Sequence, residues 1–525
     1  MAKSKKVSAA NEASQIKAAP LVCSYRLLLA LLAFLGFFLC YAQRNGFAVA
    51  IVCMVDPDVD NLGSAHTNNS VLTRQNIPVS CHKHTTQTIR SPGQVLNWPK
   101  ETRGLLLGSF YWGYALTQIV SSIAVTYFGP KRFLAMLIFV SSLTTLLLPV
   151  ISTWSSPFII LLRIIAGAAQ GGLWPTIFRF WSTWAPASET TTLLSFQTAG
   201  LSMGTIVSLM IGGLFCTFSL YDAIPFIFRH GWAYFFYLLG GLGIVWSIVW
   251  LIFASDTPMT NKYIPENEKN YIRGCKADEQ IQDTDTKIPW SAMFRSQAVW
   301  CVLLSMFFCD FGLYAIWAVV PEYMNEVLLF SIRENGLLSA LPHIASFIVV
   351  MTTGRLADYL IEKKYLKRVN ARKLFHGIGT LGPAICLLFI SFLDCERRYL
   401  AVMLLIIGVA LSGFMMSGGD VVNISDFSGV HSGVVCGIGN TVSSIAGFGA
   451  PYLTSIITKD KTTAQWKIAF MLYAASFLIS AIVFSFFARG ETEPWARDDV
   501  HDEKIKNDQG AGEELMEINQ SNSPI

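Results

Sequence analysis

Arg44 interrupts a long apolar run, residues 25–55, in which no acidic residue stands. An arginine at membrane depth costs about 2.5–3.5 kcal/mol on insertion scales, so it must face a cavity or a partner rather than lipid. Its planar guanidinium matches a carboxylate or a phosphate with two parallel hydrogen bonds. Two roles follow: an anchor for an anionic solute, or one half of a structural pair with an interior acid. Tyr41 lies three residues earlier, on the same helical face. Further along, Arg163 and Gln170 are seven residues apart in another apolar run, nearly two helical turns, and so share a face. Arg163 is expected to help bind the anion, and Gln170 stands at a candidate coupling position; being an amide it takes or releases no proton near neutral pH, and the bland reading of it is an interhelical hydrogen-bonder. Asp310 is an acid inside a nonpolar run and His343 an imidazole inside another. Both are expected coupling sites, for a cation or a proton, with Asp420 a weaker one. Tyr111, Tyr114 and Trp174 are expected to line the same route as Arg44, although aromatic residues at helical spacing more often pack than bind. No catalytic dyad, metal-ligand cluster or nucleotide-binding loop stands out, so neither an enzyme nor an ATP-driven pump is expected, and no metal site.

These groups need elements that cross a bilayer. The chain has 525 residues, 53% hydrophobic and only 14% charged, against about a quarter charged in soluble domains. Apolar runs long enough to span about 30 Å of hydrocarbon recur along it. We place spans at 25–55, 103–126, 131–151, 157–178, 190–216 and 232–254, then at 298–320, 336–358, 372–393, 399–422, 432–457 and 466–488. The expected fold is all-α, twelve transmembrane helices in two six-helix halves. The organisation is a cytosolic tail over 1–24, a first half over 25–254 with a long exofacial loop at 56–99, and a cytosolic linker over 255–297. A second half over 298–489 and a disordered cytosolic tail over 490–525 follow. The net charge of +4 says little about partners; the lipid bilayer is one, and nucleic acid is not expected.

Basic residues beside the spans fix the orientation. Lys3, Lys5, Lys6, Lys17, Arg26, Lys131, Arg132 and the cluster Lys363, Lys364, Lys367, Arg368, Arg372 and Lys373 all fall on one side, which should be the cytosol with both termini in it. The sequon at Asn68 lies in the loop assigned to the other side and is a weak glycosylation signal. Most of the 11 cysteines sit in apolar runs, Cys40, Cys216, Cys301, Cys309, Cys386 and Cys436 among them, and read as buried small hydrophobes. Cys81 and Cys395 fall in exofacial loops and are a possible disulfide.

The two halves share a repeat. Gly354-Arg355-Leu356-Ala357-Asp358, closing on Arg372-Lys373, corresponds to the stretch Ser122 to Arg132 after the second span. These residues resemble the loop signature of the major facilitator superfamily, intact at Gly354 and Asp358 and degraded in the first half, where Ser122 and Thr126 stand. Arg163, Gly167 and Gly171 resemble the pattern of that superfamily's fourth helix. The strings CYAQRNGFAVAIVCMVD, GSFYWGY, FWSTWAP, SDTP, ENGLLSALP and WKIAFMLYAA narrow the likeness to the anion–cation symporter branch, with sialin, the vesicular glutamate transporters and the type I sodium–phosphate cotransporters, over about residues 25–497. The resemblance implies a carrier for a small organic or inorganic anion by alternating access, monomeric, without cofactor beyond a coupling Na+ or H+, in the plasma membrane or an endolysosomal or vesicle membrane. It implies that Arg44 recognises the anion and that Gly354, Asp358 and Arg372 belong to a conformational motif, with Asn423 and Asp426 structural or gating. Sialin and the glutamate transporters resemble this chain less at Gln170, where they carry glutamate, and the cotransporters more. A proton-coupled lysosomal exporter of acidic sugars or amino acids, and a transport-inactive sensor or scaffold, are the two alternatives.

Overall fold

A computed structural model describes residues 24–55, 96–216, 231–279 and 288–496. Sixteen α-helices run through them. The first half contains α1 (Tyr25–Met54), α2 (Lys100–Phe128), α3 (Pro130–Ile151), α4 (Ser156–Gly171), α5 (Leu173–Trp184), α6 (Ala187–Cys216) and α7 (Gly231–Phe253). The linker carries α8 (Glu266–Glu279) and α9 (Trp290–Arg295). The second half contains α10 (Gln297–Glu326), α11 (Ile332–Glu362), α12 (Arg368–Ile390), α13 (Arg398–Gly418), α14 (Asp420–Ser428), α15 (Ser432–Ile457) and α16 (Thr463–Phe487). Eleven stretches are long and apolar enough to cross a membrane. The twelfth crossing is α2, whose 29 residues begin with Lys100, Glu101 and Arg103 and are less apolar. The expected twelve spans are therefore all helical, most of them longer than the apolar run that marks them.

Two crossings are broken. The fourth divides at Gly172 and the tenth at Gly419. The expected spans of 157–178 and 399–422 stop short of the ends of α5 and α14, because hydropathy falls in these second segments while the chain stays helical. Each half buries its own apolar core. A small cluster of Val49, Ile206, Leu209 and Ala340 joins the halves at the end remote from the linker.

The quoted strings fall where the helices meet. Trp184 of FWSTWAP donates through Nε1 to the Ser255 carbonyl of SDTP, at 2.8 Å. Asp256 of the same string accepts from the Lys131 amide at 2.9 Å, just after Gly129, whose φ of +76° makes the sharp turn between α2 and α3. Ser331 and Glu334 close a capping box at the start of α11.

Several expectations change. Cys216 is no lone buried thiol: it forms a disulfide with Cys53, Cα–Cα 5.8 Å, tying the far ends of α1 and α6. The apolar pattern hid this because both cysteines lie in the last turn of a spanning helix. Cys40, Cys301, Cys309, Cys386 and Cys436 are free thiols as expected. Cys395 is disulfide-bonded, while Cys81 and Asn68 lie outside the described residues. Arg26, counted among the basic residues that set the orientation, is fully buried; Glu189 and Glu268 bind its guanidinium, Glu268 at 2.8 Å from Nε, so linker helix α8 clamps the start of α1. Residues 490–496, placed in a disordered tail, are docked on α14: the Glu493 amide donates to the Phe427 carbonyl at 2.9 Å.

Candidate anion site at the junction of the halves

Arg44 sits on α1 with 9% of its surface exposed. Five aromatic rings surround its guanidinium: Phe110 and Tyr111 at 4.8 Å, Tyr114 at 5.1 Å, Tyr41 at 5.5 Å and Tyr314 at 5.9 Å from the ring centres. Four rings come from the first half and Tyr314 comes from α10 of the second, so the cage straddles the junction. Among the described residues no carboxylate stands within ion-pair distance of Arg44, and none makes a hydrogen bond to it. The rival reading of Arg44, a pair with an interior acid, finds no partner here. Ring faces offer partial negative charge and nothing that accepts two parallel hydrogen bonds. The donors of this cation are left for something else.

Arg163 also lies over the Phe110 ring, at 5.3 Å, and over Phe47 at 4.4 Å. Its Nε donates to the Leu106 carbonyl at 3.3 Å. The glycines of the R-x-x-x-G-x-x-x-G pattern explain this placement. A Cβ at Gly167 would collide with the Phe110 carbonyl, and one at Gly171 with Tyr114 and Thr117. Only glycine there lets α4 approach α2 closely enough to bring Arg163 onto Phe110. A cleft of about 10 Å³ runs past Gln43, Arg44, Phe110, Arg163 and Gln170, room for about one water and no substrate.

Of the residues expected to line the route, Tyr41, Tyr111 and Tyr114 are brought together around Arg44. Trp174 is not; it packs edge-on against Phe37 at 5.4 Å and beside Phe178. Asp310 is half-buried on α10, one turn before Tyr314, within electrostatic range of Arg44 but not paired with it. His343 stands over the Trp317 ring at 5.7 Å in a separate small pocket with Ser339 and Leu209. Gln170 donates to the Cys40 carbonyl at 3.1 Å and the Ser141 hydroxyl at 2.9 Å, the interhelical role that was its bland reading. Phe110 and Tyr314 were missed, because an aromatic residue in an apolar helix gives no sign of what it faces.

The end remote from the linker is shut by charge. Lys100 of α2 is ion-paired with Glu326 of α10, whose carboxylate also accepts from Trp466 Nε1 at 3.1 Å. Arg103 lies 3.8 Å from Glu322, and Lys459 pairs with Glu101 at 2.8 Å. Lys100 opens α2 and is buried. Gly104 lies against Ser455 and Gly336 against Gly213, with no room for a Cβ at either. At the linker end α15 has space beside it: a Cβ at Gly433 or Gly437 would meet nothing within 4 Å. There Arg372 binds Asp426, Nε to Oδ2 2.7 Å, while Gly354 is uncrowded and Asp358 is exposed. The structure thus joins Arg372 to Asp426 and leaves Asp358 apart. Asn423 donates to the Arg489 carbonyl at 2.8 Å, as a structural residue would.

Two halves closed at one end over a buried cation define a membrane transporter. A model of the Major Facilitator Superfamily matches residues 33–451 and 302–513. Human sialin is 34% identical over 489 residues, covering 93% of this chain and 94% of sialin. Vesicular glutamate transporter 1 of Bos taurus is 29% identical over 506 residues, 95% of this chain and 84% of that protein. The inward-facing, unoccupied crystal structure of a bacterial homolog to the human lysosomal transporter Spinster superposes with a TM-score of 0.65 at 13% identity, covering 90% of this chain and 99% of that one. The chain belongs to the major facilitator superfamily, in the branch that holds sialin, the vesicular glutamate transporters and the phosphate cotransporters.

Proposed function

We propose that this transporter carries a small organic or inorganic anion by alternating access, with Arg44 as the group that holds it midway. The observation that carries this reading is the buried guanidinium with no acidic partner among the described residues, set where both halves touch it. A fixed positive charge in a low-dielectric passage lowers the cost of bringing an anion inside. The names of relatives, a vesicular glutamate transporter among them, point to carboxylate-bearing solutes. Arg163, Tyr111 and Tyr314 are the next contacts an anion would meet as the narrow cleft widens.

The linker end faces the cytosol in this reading, which supports an inward-facing state. The basic cluster from Lys363 to Lys373 lies at that end. The Cys53–Cys216 disulfide lies at the other, as expected of an oxidising exterior or lumen. Asp358 would take up its partner when the linker end closes and the charged end opens. The protein works as a monomer, in the plasma membrane or an endolysosomal or vesicle membrane, driven by membrane potential or by a gradient of Na+ or H+.

Uptake into proteoliposomes under imposed potential, sodium or pH gradients, offered urate, phosphate, glutamate and sialate, tests this. Saturable uptake of at least one of them is expected. Binding of these anions without uptake under any gradient would favour a sensor over a carrier.

A further inference from the structure

Each half holds one fully buried polar hub where its first, third, fourth and sixth crossings meet. In the first half Gln43 donates to Ser142 and the Leu239 carbonyl, Ser141 donates to Gln43, and Gln170 donates to Ser141. Amides and hydroxyls make up this hub, and none of them titrates near neutral pH. The equivalent place in the second half is built differently. His376 of α12 has no exposed surface and Asp420 is 2% exposed. The imidazole Nδ1 lies 3.6 Å from Asp420 Oδ1 and makes no hydrogen bond. Its Nε2 is 3.1 Å from the Ser305 hydroxyl of α10 and 3.2 Å from the Ser480 hydroxyl of α16, and its ring lies tilted against Phe484 at 4.2 Å.

We propose that His376 and Asp420, with Ser305 and Ser480, form a proton-binding site in the second half that couples proton uptake to the packing of α12 against α14. The two serines can serve both states of the ring. Ser480 donates to the Ser305 backbone carbonyl at 2.9 Å, which leaves the Ser305 hydroxyl free to donate to a neutral Nε2. When a proton binds Nε2, the Ser305 hydrogen turns toward Ser480 Oγ, 2.9 Å away, and the new N–H donates to a hydroxyl oxygen. No heavy atom has to move, and no bond other than N–H forms. The Asp420 carboxylate then faces an imidazolium, and the 3.6 Å gap at Nδ1 becomes an attraction between opposite charges. Asp420 is the first residue of α14, at the break after Gly419, a place where the backbone has freedom to shift.

The other charged and titratable groups packed around the site are accounted for. On α12, Arg372 lies one turn before His376 and is held by Asp426 of α14; Lys373 follows it. On α10, Cys301, Cys309 and Asp310 lie within electrostatic range of Asp420. From α16 come Ser480 and Phe484. The same two elements, α12 and α14, carry both His376–Asp420 and Arg372–Asp426, so a charge change at the first pair bears on the second. In this conformation both groups are shut from water, so a proton taken up earlier is held until the contact opens.

The coupling half of this proposal rests on the carrier reading; the proton-binding half does not. Full-length protein in nanodiscs, isotope-labelled at the nitrogens of its eight histidines, gives the direct test by NMR titration. The signal missing from His376→Asn, or from His376→Gln if the first variant does not fold, is expected to change from neutral to protonated as the sample is titrated from alkaline to acid. In Asp420→Asn the change should need a more acid sample, because the carboxylate that favours the imidazolium is gone. A signal that stays in one form throughout the titration, or that titrates identically in Asp420→Asn, overturns the site. Should the wild type carry an anion, His376→Asn is expected to flatten the pH dependence of uptake while homoexchange of that anion at constant pH persists; an unchanged pH dependence would leave a proton site uncoupled to transport and overturn the coupling.

Discussion

At the scale of single residues, Arg44 is the group most fully legible from sequence. A lone cation in an apolar run must be accommodated, and the choice between an internal acid and an external anion was the open question. The structure answers by surrounding it with rings rather than carboxylates. What the sequence does not tell is which rings. Tyr41 is reached by counting along one helix, but Tyr314 comes from 270 positions away and depends on how the halves meet. Its hydroxyl is not needed for contact with the cation; its ring is. Tyr314→Phe should therefore keep the half-saturation concentration of uptake within about twofold, while Tyr314→Ala should raise it about two- to thirtyfold, as expected for loss of a cation–π contact of about 0.5–2 kcal/mol. Equal effects of the two changes on uptake would show that the ring face does not matter.

At the scale of elements, hydropathy marks eleven crossings strongly and α2 more weakly, yet it misses the two breaks and the charges at helix ends. Gly172 and Gly419 break their crossings at Gly-Gly pairs, Gly171-Gly172 and Gly418-Gly419, which are too short to register in a hydropathy window. Lys100 and Glu326 stand at the ends of long helices, where a charge ordinarily means water. Only the packing of α2 on α15, with Trp466 of α16 beside Lys100, turns them into a buried pair. Removing one partner of such a pair costs about 3–5 kcal/mol, so Lys100→Met should loosen the closed end. A cysteine placed at Ser455, which lies against Gly104, should then react faster with a membrane-impermeant maleimide, and the double exchange Lys100→Glu with Glu326→Lys should restore protection. Unchanged labelling in Lys100→Met would show that the pair is not what holds this end shut. The disulfide gives a second element-scale expectation. It closes a loop of 163 residues between α1 and α6, and Cys53→Ser or Cys216→Ser should lower the melting temperature of purified protein, with a cost of about 2–4 kcal/mol. A melting curve indifferent to reductant and to both substitutions would contradict that.

At the scale of the molecule, the two-half plan is readable from the charged linker and the repeated loop, because both survive in composition alone. The state of the carrier is not readable, since every conformation in the cycle shares one sequence. The structure shows one end closed by buried ion pairs and small-residue contacts that join the halves, whereas among the described residues the ion pairs of the linker end, such as Arg372–Asp426, stay within one half or bind the linker. In the proposed scheme a closed end held by charge and an anion held by charge belong together: the halves would rock about a site near Arg44 while ion pairs form and break at alternate ends. Every part of that scheme depends on the guanidinium being available to the solute. Uptake into proteoliposomes by wild type and by Arg44→Ala, compared for whichever of urate, phosphate, glutamate or sialate the wild type carries, measures this most directly. Loss of a charge-assisted interaction of about 1.5–3 kcal/mol predicts that Arg44→Ala, recovered folded and in normal yield, loses uptake at least about tenfold. Uptake by Arg44→Ala with the wild-type rate and half-saturation concentration would contradict the account.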